Sequence, residues 1–167
     1  KVLVVGGAGY IGSAVCAQLL DSGHSVVILD DLSTGYRELA LAPLVVGRCG
    51  DQGLLESLFS QNSFDIVMHF AARSIVSESI LKPDEYFENN TQQTKILVDT
   101  MLNFGIRNLV FSSTCAVYGY ATGDLPLTED HPLNPVNPYG LSKKETELYL
   151  EEEARKRGLS VISLRYF

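Results

Sequence analysis

Much that would set this chain apart from the ordinary globular proteins is missing from its 167 residues. No apolar run approaches the roughly 18–20 residues that cross a bilayer, and no signal-peptide pattern opens the sequence. Positive charge is scarce: 13 Lys and Arg stand against 20 Asp and Glu, a formal net charge of −7. A surface of that sign suits neither nucleic acid nor an anionic membrane, and neither is expected as a partner. Cysteine is scarce too. Cys16, Cys49 and Cys115 are odd in number and lack metal-ligand spacing, so reduced thiols in a cytoplasmic protein are expected, and no metal site. No internal repeat, low-complexity tract or linker divides the chain. Its length suits one domain that buries roughly 70% of its unfolded surface. An initiator Met is missing as well, and the chain closes at Phe167 directly after a strand pattern. Termini usually carry a few loose residues, so a trimmed or partial chain is expected.

What is present is concentrated at the start. Val2-Leu3-Val4-Val5 is an all-apolar run that suits a parallel strand covered on both faces. Gly6-Gly7-Ala8-Gly9-Tyr10-Ile11-Gly12 follows at once. Then come a helix-patterned stretch through Leu20, a turn at Ser22-Gly23-His24, and a second apolar run, Val26–Leu29, closed by Asp30. Gly6, Gly9 and Gly12 provide a tight turn, close backbone approach to a phosphate, and close helix-on-strand packing. The helix start offers free N–H groups and the positive end of its dipole to a pyrophosphate. Asp30 falls where a carboxylate binds the adenosine ribose diol and repels a 2′-phosphate. The cofactor expected is NAD rather than NADP.

The remainder alternates strand and helix patterns. A polar loop, Asp31–Gly35, and a short helix near Tyr36–Leu41 precede a strand at Leu44–Val46. Asp51 either caps a helix over Leu54–Phe59 or contacts an adenine amino group. Phe64–Phe70 is a fourth strand whose His69 reads as a packed residue rather than a catalyst. Pro83, with Asp84 and Glu85, opens a long helix to about Phe104, stopped by Gly105. Asn89 and Asn90 lie inside it, where asparagine is a poor choice, so a side-chain task facing the cofactor is expected. A fifth strand, Asn108–Phe111, delivers Ser112-Ser113-Thr114 to the sheet edge where ligands bind. After a long loop from Tyr120 to Asn137, Asn137-Pro138 caps a helix that stops at Gly158, and Ser160–Arg165 is a sixth strand. The pattern predicts an α/β chain: a Rossmann-type, doubly wound parallel sheet of about six strands with helices on both faces.

Tyr139 and Lys143 stand four apart on that last helix and share a face. A tyrosine with an ordinary pKa of ~10 is a poor base near neutrality. An ammonium beside it favours the phenolate, which can then accept a proton from a substrate hydroxyl. A hydroxyl from Thr114 at the end of strand five completes the expected catalytic group.

Seven segments, GGAGYIG, DDLSTG, HFAARSIVSES, KPDEYFENN, SSTCAVYG, NPYGLSKKE and SLRYF, run in this order along the chain. Together they resemble the N-terminal two-thirds of the UDP-galactose (UDP-glucose) 4-epimerases, extended members of the short-chain dehydrogenase/reductase superfamily. The resemblance implies an isomerase that oxidises C4 of a UDP-hexose with tightly bound NAD. It places NAD contacts at Gly6, Gly9, Tyr10, Ile11, Gly12, Asp30, Asp31, Ser33, Asp51, Gln52, Phe70, Ala71, Asn89, Lys143 and Phe167. It places the catalytic group at Tyr139, Lys143 and Thr114, and the sugar contacts at Thr114, Tyr118 and Tyr139. It also implies a homodimer for the full-length protein.

Departures from the family pattern are Ser13-Ala14 after the glycine loop, Asp31 for a common Asn, and Ser74 where some members carry a cofactor-contacting Lys. Cys115-Ala116 replaces the acidic residues of the sister dehydratases and decarboxylases, which argues against elimination. The family's C-terminal substrate domain lies outside residues 1–167, so this chain is expected to hold cofactor without turning over sugar. Two other readings stay open: an epimerase of another nucleotide sugar (a UDP-uronate or UDP-N-acetylhexosamine), and a non-catalytic NAD-binding module that senses redox state.

Overall fold

The computed structural model describes residues 1–120 and 126–167; residues 121–125 of the expected long loop lie outside the described residues. Six strands form one parallel sheet: β1 (Val2–Val5), β2 (Val26–Asp30), β3 (Leu44–Val46), β4 (Ile66–His69), β5 (Asn108–Thr114) and β6 (Ser160–Tyr166), in the order β3-β2-β1-β4-β5-β6. This is the strand order of a dinucleotide-binding sheet, which reverses direction between β1 and β4. Every residue of β1 and β2 is buried, which explains why those runs are apolar without alternation. At the edge, β6 alternates between half-buried and exposed residues because only one of its faces is packed.

Helices cover the two faces unequally. On one face, α1 (Tyr10–Asp21) packs Cys16, Leu19 and Leu20 against Val2, Val4, Val26 and Ile28. The other face carries α2 (Gln52–Gln61), and its larger core contains Leu3, Val5, Leu29, Val67 and Phe111. The helical run from Pro83 to Asn103 adds Leu97, Val98 and Met101 to that core, and α6 (Pro138–Arg157) adds Leu150. Asn137 caps α6 by accepting from the Gly140 N–H at 2.8 Å, and Gly158 ends it in the left-handed region, as the sequence predicts.

Several elements differ from expectation. The helix near Tyr36–Leu41 is only a 3₁₀ turn, Arg37–Leu39. The second helix starts earlier, at Gln52, because the Asp51 carboxylate accepts from the Leu54 N–H at 3.0 Å; Asp51 is a helix cap. A six-residue helix, α3 (Val76–Leu81), has no side-chain cap to announce it and is too short for a periodic signal. The long helix is composite: α4 (Pro83–Tyr86), a π turn (Phe87–Gln92), then α5 (Gln93–Asn103). Strand β5 runs three residues further than expected because β6 pairs along it as far as Thr114↔Tyr166.

Candidate cofactor cleft and catalytic cluster

A cleft of about 620 Å³ opens where β1 and β4 diverge at their C-terminal ends. Its floor is backbone. Gly6 has φ +81°, and a Cβ there would lie 2.4 Å from the Ala71 N, so the first loop turns and passes β4 only as glycine. Gly12 does the packing: its Cβ would meet the Gly6 carbonyl oxygen at 2.1 Å. Gly9 differs, since nothing lies closer to its Cβ position than the Gly6 oxygen at 3.4 Å. It is the N-cap of α1 without a side-chain hydrogen bond, and no acid occupies the first turn. An open cradle above a helix N-terminus is an anion site in geometry and dipole. Asp30 rivets the far side. Its Oδ2 accepts from the Ala8 N–H and its Oδ1 from the Leu32 N–H, both at 2.9 Å. Leu32 takes φ 59°, uncommon for a non-glycine, in this turn. A carboxylate held by two backbone donors keeps lone pairs for a ribose diol. These residues fit a dinucleotide.

Of the expected NAD contacts, Gly6, Gly9, Asp30, Asp31, Ser33, Phe70, Ala71 and Asn89 line the cleft. Tyr10 and Ile11 are exposed on the first turn of α1, and Gly12 is buried against the loop. Gln52 donates to Glu56 at the surface of α2. Phe167 is exposed and stacks on Tyr118, ring centroids 6.3 Å apart. Sequence reasoning missed Arg48, Cys49, Arg73 and Gln93, which also line the cleft. A signal existed. In a parallel sheet every strand ends at the same edge, so the residues after β3 and β4 belong to the site along with those after β1 and β2. Asn90 does not face the cleft; it is buried and bonded to backbone.

Beside the cleft, α6 presents Tyr139, Lys143 and Glu147 at successive turns to the end of β5. Lys143 Nζ donates to the Ser112 carbonyl at 2.7 Å and lies 4.7 Å from the centroid of the Phe111 ring. Ser113 Oγ donates to Glu147. Thr114 and Tyr139 form the outermost pair: burial pushes the Tyr139 phenol above its ordinary pKa, and hydrogen bonding with Thr114 pulls it back. The Lys143 ammonium is turned inward, where burial draws it down to about 8, with Cys49 and Glu147 opposing. The Tyr139 ring also meets the edge of Tyr86, centroids 6.4 Å apart.

His69 is a packed residue. Its Nε2 pairs with Thr94 Oγ1 at 2.8 Å, and burial brings its pKa down to about 3, so the ring is neutral. Tyr118, the expected sugar contact, is buried and accepts through its hydroxyl from Arg165 Nη1 at 2.8 Å. Arg165 in turn pairs with Glu147 at 2.7 Å and lies over the Tyr118 ring. This Ser113–Glu147–Arg165–Tyr118 chain was not anticipated. The only hint is that Glu147 continues the four-residue spacing of Tyr139 and Lys143. Among the described residues no group of His, Cys, Asp and Glu is arranged to hold a metal, and no helix is long and apolar enough to cross a membrane.

Comparison with known proteins agrees with this geometry. The chain matches the NAD dependent epimerase/dehydratase family over residues 2–167. It is 47% identical to the UDP-glucose 4-epimerase of Azospirillum brasilense, covering 100% of this chain and 48% of that protein. It is 40% identical to UDP-arabinose 4-epimerase 1 of Arabidopsis thaliana, covering 99% and 42%. Among solved structures, UDP-glucose 4-epimerase from Brucella ovis in complex with NAD gives a TM-score of 0.96 at 40% identity, covering 99% of this chain and 51% of that one. The chain thus spans about half the length of the relatives it matches. With the glycine loop, the sheet order and a family match from the first strand to the last residue, it belongs to the NAD dependent epimerase/dehydratase family.

Proposed function

We propose that residues 1–167 form the NAD-binding domain of a UDP-glucose 4-epimerase, interconverting UDP-glucose and UDP-galactose through a 4-keto sugar. The observation that carries this reading is the packing of α6, with Tyr139 and Lys143 one turn apart, on the end of β5, where Lys143 Nζ donates to the Ser112 carbonyl, beside a cleft floored by the glycine loop. Bound at this cleft, NAD would supply a hydride acceptor, and later donor, for C4 of the sugar. The chain's own groups do the rest. Gly9 and the N-terminus of α1 receive the pyrophosphate, Asp30 receives the ribose diol, and Tyr139 Oη accepts the sugar hydroxyl proton and later returns it. Burial raises the phenol and hydrogen bonding with Thr114 lowers it, so Thr114 favours proton removal. Lys143 anchors α6 to the end of β5 through the Ser112 carbonyl and keeps positive charge near the base. The 3₁₀ turn Cys115–Val117 carries no acid, so elimination from the sugar has no proton donor there. A homodimer and a cytoplasmic setting belong to the same reading.

The 40% identity to a UDP-arabinose 4-epimerase favours a second reading with the same chemistry on another nucleotide sugar. Two measurements test the proposal. Titration with NAD⁺ and NADP⁺ is expected to show tighter NAD⁺ binding, and equal or tighter NADP⁺ binding overturns the role of Asp30. In the full-length protein, Tyr139→Phe is expected to cut epimerisation of UDP-galactose by ~10²–10⁴-fold while leaving NAD⁺ affinity within about twofold. Retention of more than a tenth of the activity means another group is the base.

A further inference from the structure

One wall of the cleft is the stretch that leaves β4 and enters α3. The Phe70 and Ala71 amides still donate to the Val5 carbonyl, but strand pairing ends there. From Arg73 onward the wall is held by side chains of the helical run behind it. Asn90 Oδ1 accepts from the Arg73 N–H at 2.9 Å, and Asn90 Nδ2 donates to the Arg73 carbonyl at 3.0 Å. One carboxamide therefore satisfies both backbone groups of one residue, the service a neighbouring strand would provide. The other Nδ2 hydrogen donates to Ser142 Oγ at 3.2 Å, and Ser142 Oγ donates to the Tyr139 carbonyl at 2.7 Å. Oδ1 also accepts from Asn89, which lines the cleft. The Asn90 backbone carbonyl receives the Thr94 hydroxyl from α5 and the Thr146 hydroxyl from α6, so α6 is bonded to this residue through both Ser142 and Thr146.

Two unfavourable local choices coincide at Asn90. Asparagine is poor in a helix interior, and the π turn that contains it is an uncommon structure associated with functional sites. Asn90 is 1% exposed, so surface solvation explains neither. Tyr86 repeats the link one turn earlier: its hydroxyl donates to the Ile75 carbonyl at 2.7 Å while its ring packs edge-on against Tyr139.

We propose that Asn90 is a positioning residue that holds the cofactor-side wall at Arg73 in fixed register with the helix bearing Tyr139. Cofactor affinity then depends on a side chain that does not line the cleft. This rests on the reading of the cleft as a dinucleotide site. Removing the carboxamide leaves both Arg73 backbone groups without a partner and frees the wall to move, while the chemical identity of every residue lining the cleft is unchanged.

The test is NAD⁺ titration of the chain and of Asn90→Ala and Ser142→Ala, with amide hydrogen exchange on each. Asn90→Ala is expected to weaken NAD⁺ binding about 10-fold and to speed exchange of the Arg73 amide. Ser142→Ala, which cuts only the branch to α6, is expected to speed exchange in the first turn of α6 and leave Arg73 protected. A purely structural role would lower the unfolding midpoint while leaving NAD⁺ affinity of the folded chain within twofold. That outcome overturns the inference. If Asn90→Ala does not fold, Asn90→Asp carries the NAD⁺-affinity arm of the test, since it keeps the shape and the acceptor for the Arg73 amide but loses both donations. Failure of the unmutated chain to bind NAD⁺ overturns the dinucleotide reading and this role together. Binding by the unmutated chain with unchanged Asn90 variants overturns the Asn90 role alone.

Discussion

On the β1–α1 side the chain meets its ligand space with peptide groups: two glycines no side chain can replace, one that leaves an open cradle, and a capless helix start. On the β5–α6 side it uses buried polar and ionisable side chains, Lys143 and Glu147 at 2% exposure and Thr114 at 8%, each satisfied by a specific partner. The first design recognises a phosphate with fixed dipoles whose charge does not depend on pH. The second, in the function proposed above, moves a proton, and a proton can be moved only by groups that titrate. The two sides therefore differ in what damages them. Sterics should disable the first, and unpaired charge the second.

The largest effect should come from breaking the charged side. Glu147→Ala leaves Arg165 without its carboxylate and Ser113 without its acceptor, and is expected to cost about 3–5 kcal/mol in denaturant unfolding. A loss below 1 kcal/mol would show that water replaces the carboxylate at little cost, and the sides would not differ as described. Next is the steric side. Gly12→Ala forces a Cβ against the Gly6 carbonyl and should cost about 1–3 kcal/mol.

A smaller effect separates the two by pH. The folded pKa of Lys143, about 8, lies below its ordinary value of 10.5, so between those values the unfolded chain holds the extra proton. Its contribution is least favourable below about pH 8 and improves as pH rises through that window, no more steeply than about 1.4 kcal/mol per pH unit. Comparing unfolding curves of the unmutated chain and Lys143→Met at pH 8 and pH 10 isolates it; identical pH slopes would remove Lys143 from the account. The smallest effect should be on stability in Gly9→Ala, about 0.5 kcal/mol, because its Cβ has room. The methyl fills the cradle, though, so NAD⁺ binding should fall even where folding does not.

The same contrast explains what could be read from the chain beforehand. Backbone recognition leaves its trace at fixed spacing, so Gly6, Gly9, Gly12 and Asp30 were legible, and the apolar runs of β1 and β2 revealed a sheet covered on both faces. Tyr139 and Lys143 were legible as a pair because four residues make one helical turn. The direction of Lys143 was not. Spacing shows which face a side chain shares, and only the packed structure shows that the Ser112 carbonyl and the Phe111 ring take the ammonium inward. Arg73 and Asn90 stand 17 residues apart, and Glu147 and Arg165 stand 18 apart. Partners at such separations follow no helix or strand period, so pattern alone does not find them. The π turn was illegible for a related reason: its justification is a tertiary bond rather than a local preference.

The place of β1 in the sheet has a consequence for how the molecule acquires competence. The first strand of the chain is a central one, and its second edge is completed only when Val2 finds Ile66. The cleft straddles that seam. A nascent or refolding chain can form β1, α1 and β2 from near neighbours, but it has no dinucleotide cleft until the long loop to β4 closes. Capacity to bind NAD⁺ should then appear late in refolding, after most helical signal has returned, and bound cofactor should slow unfolding by gripping the β1–β4 seam.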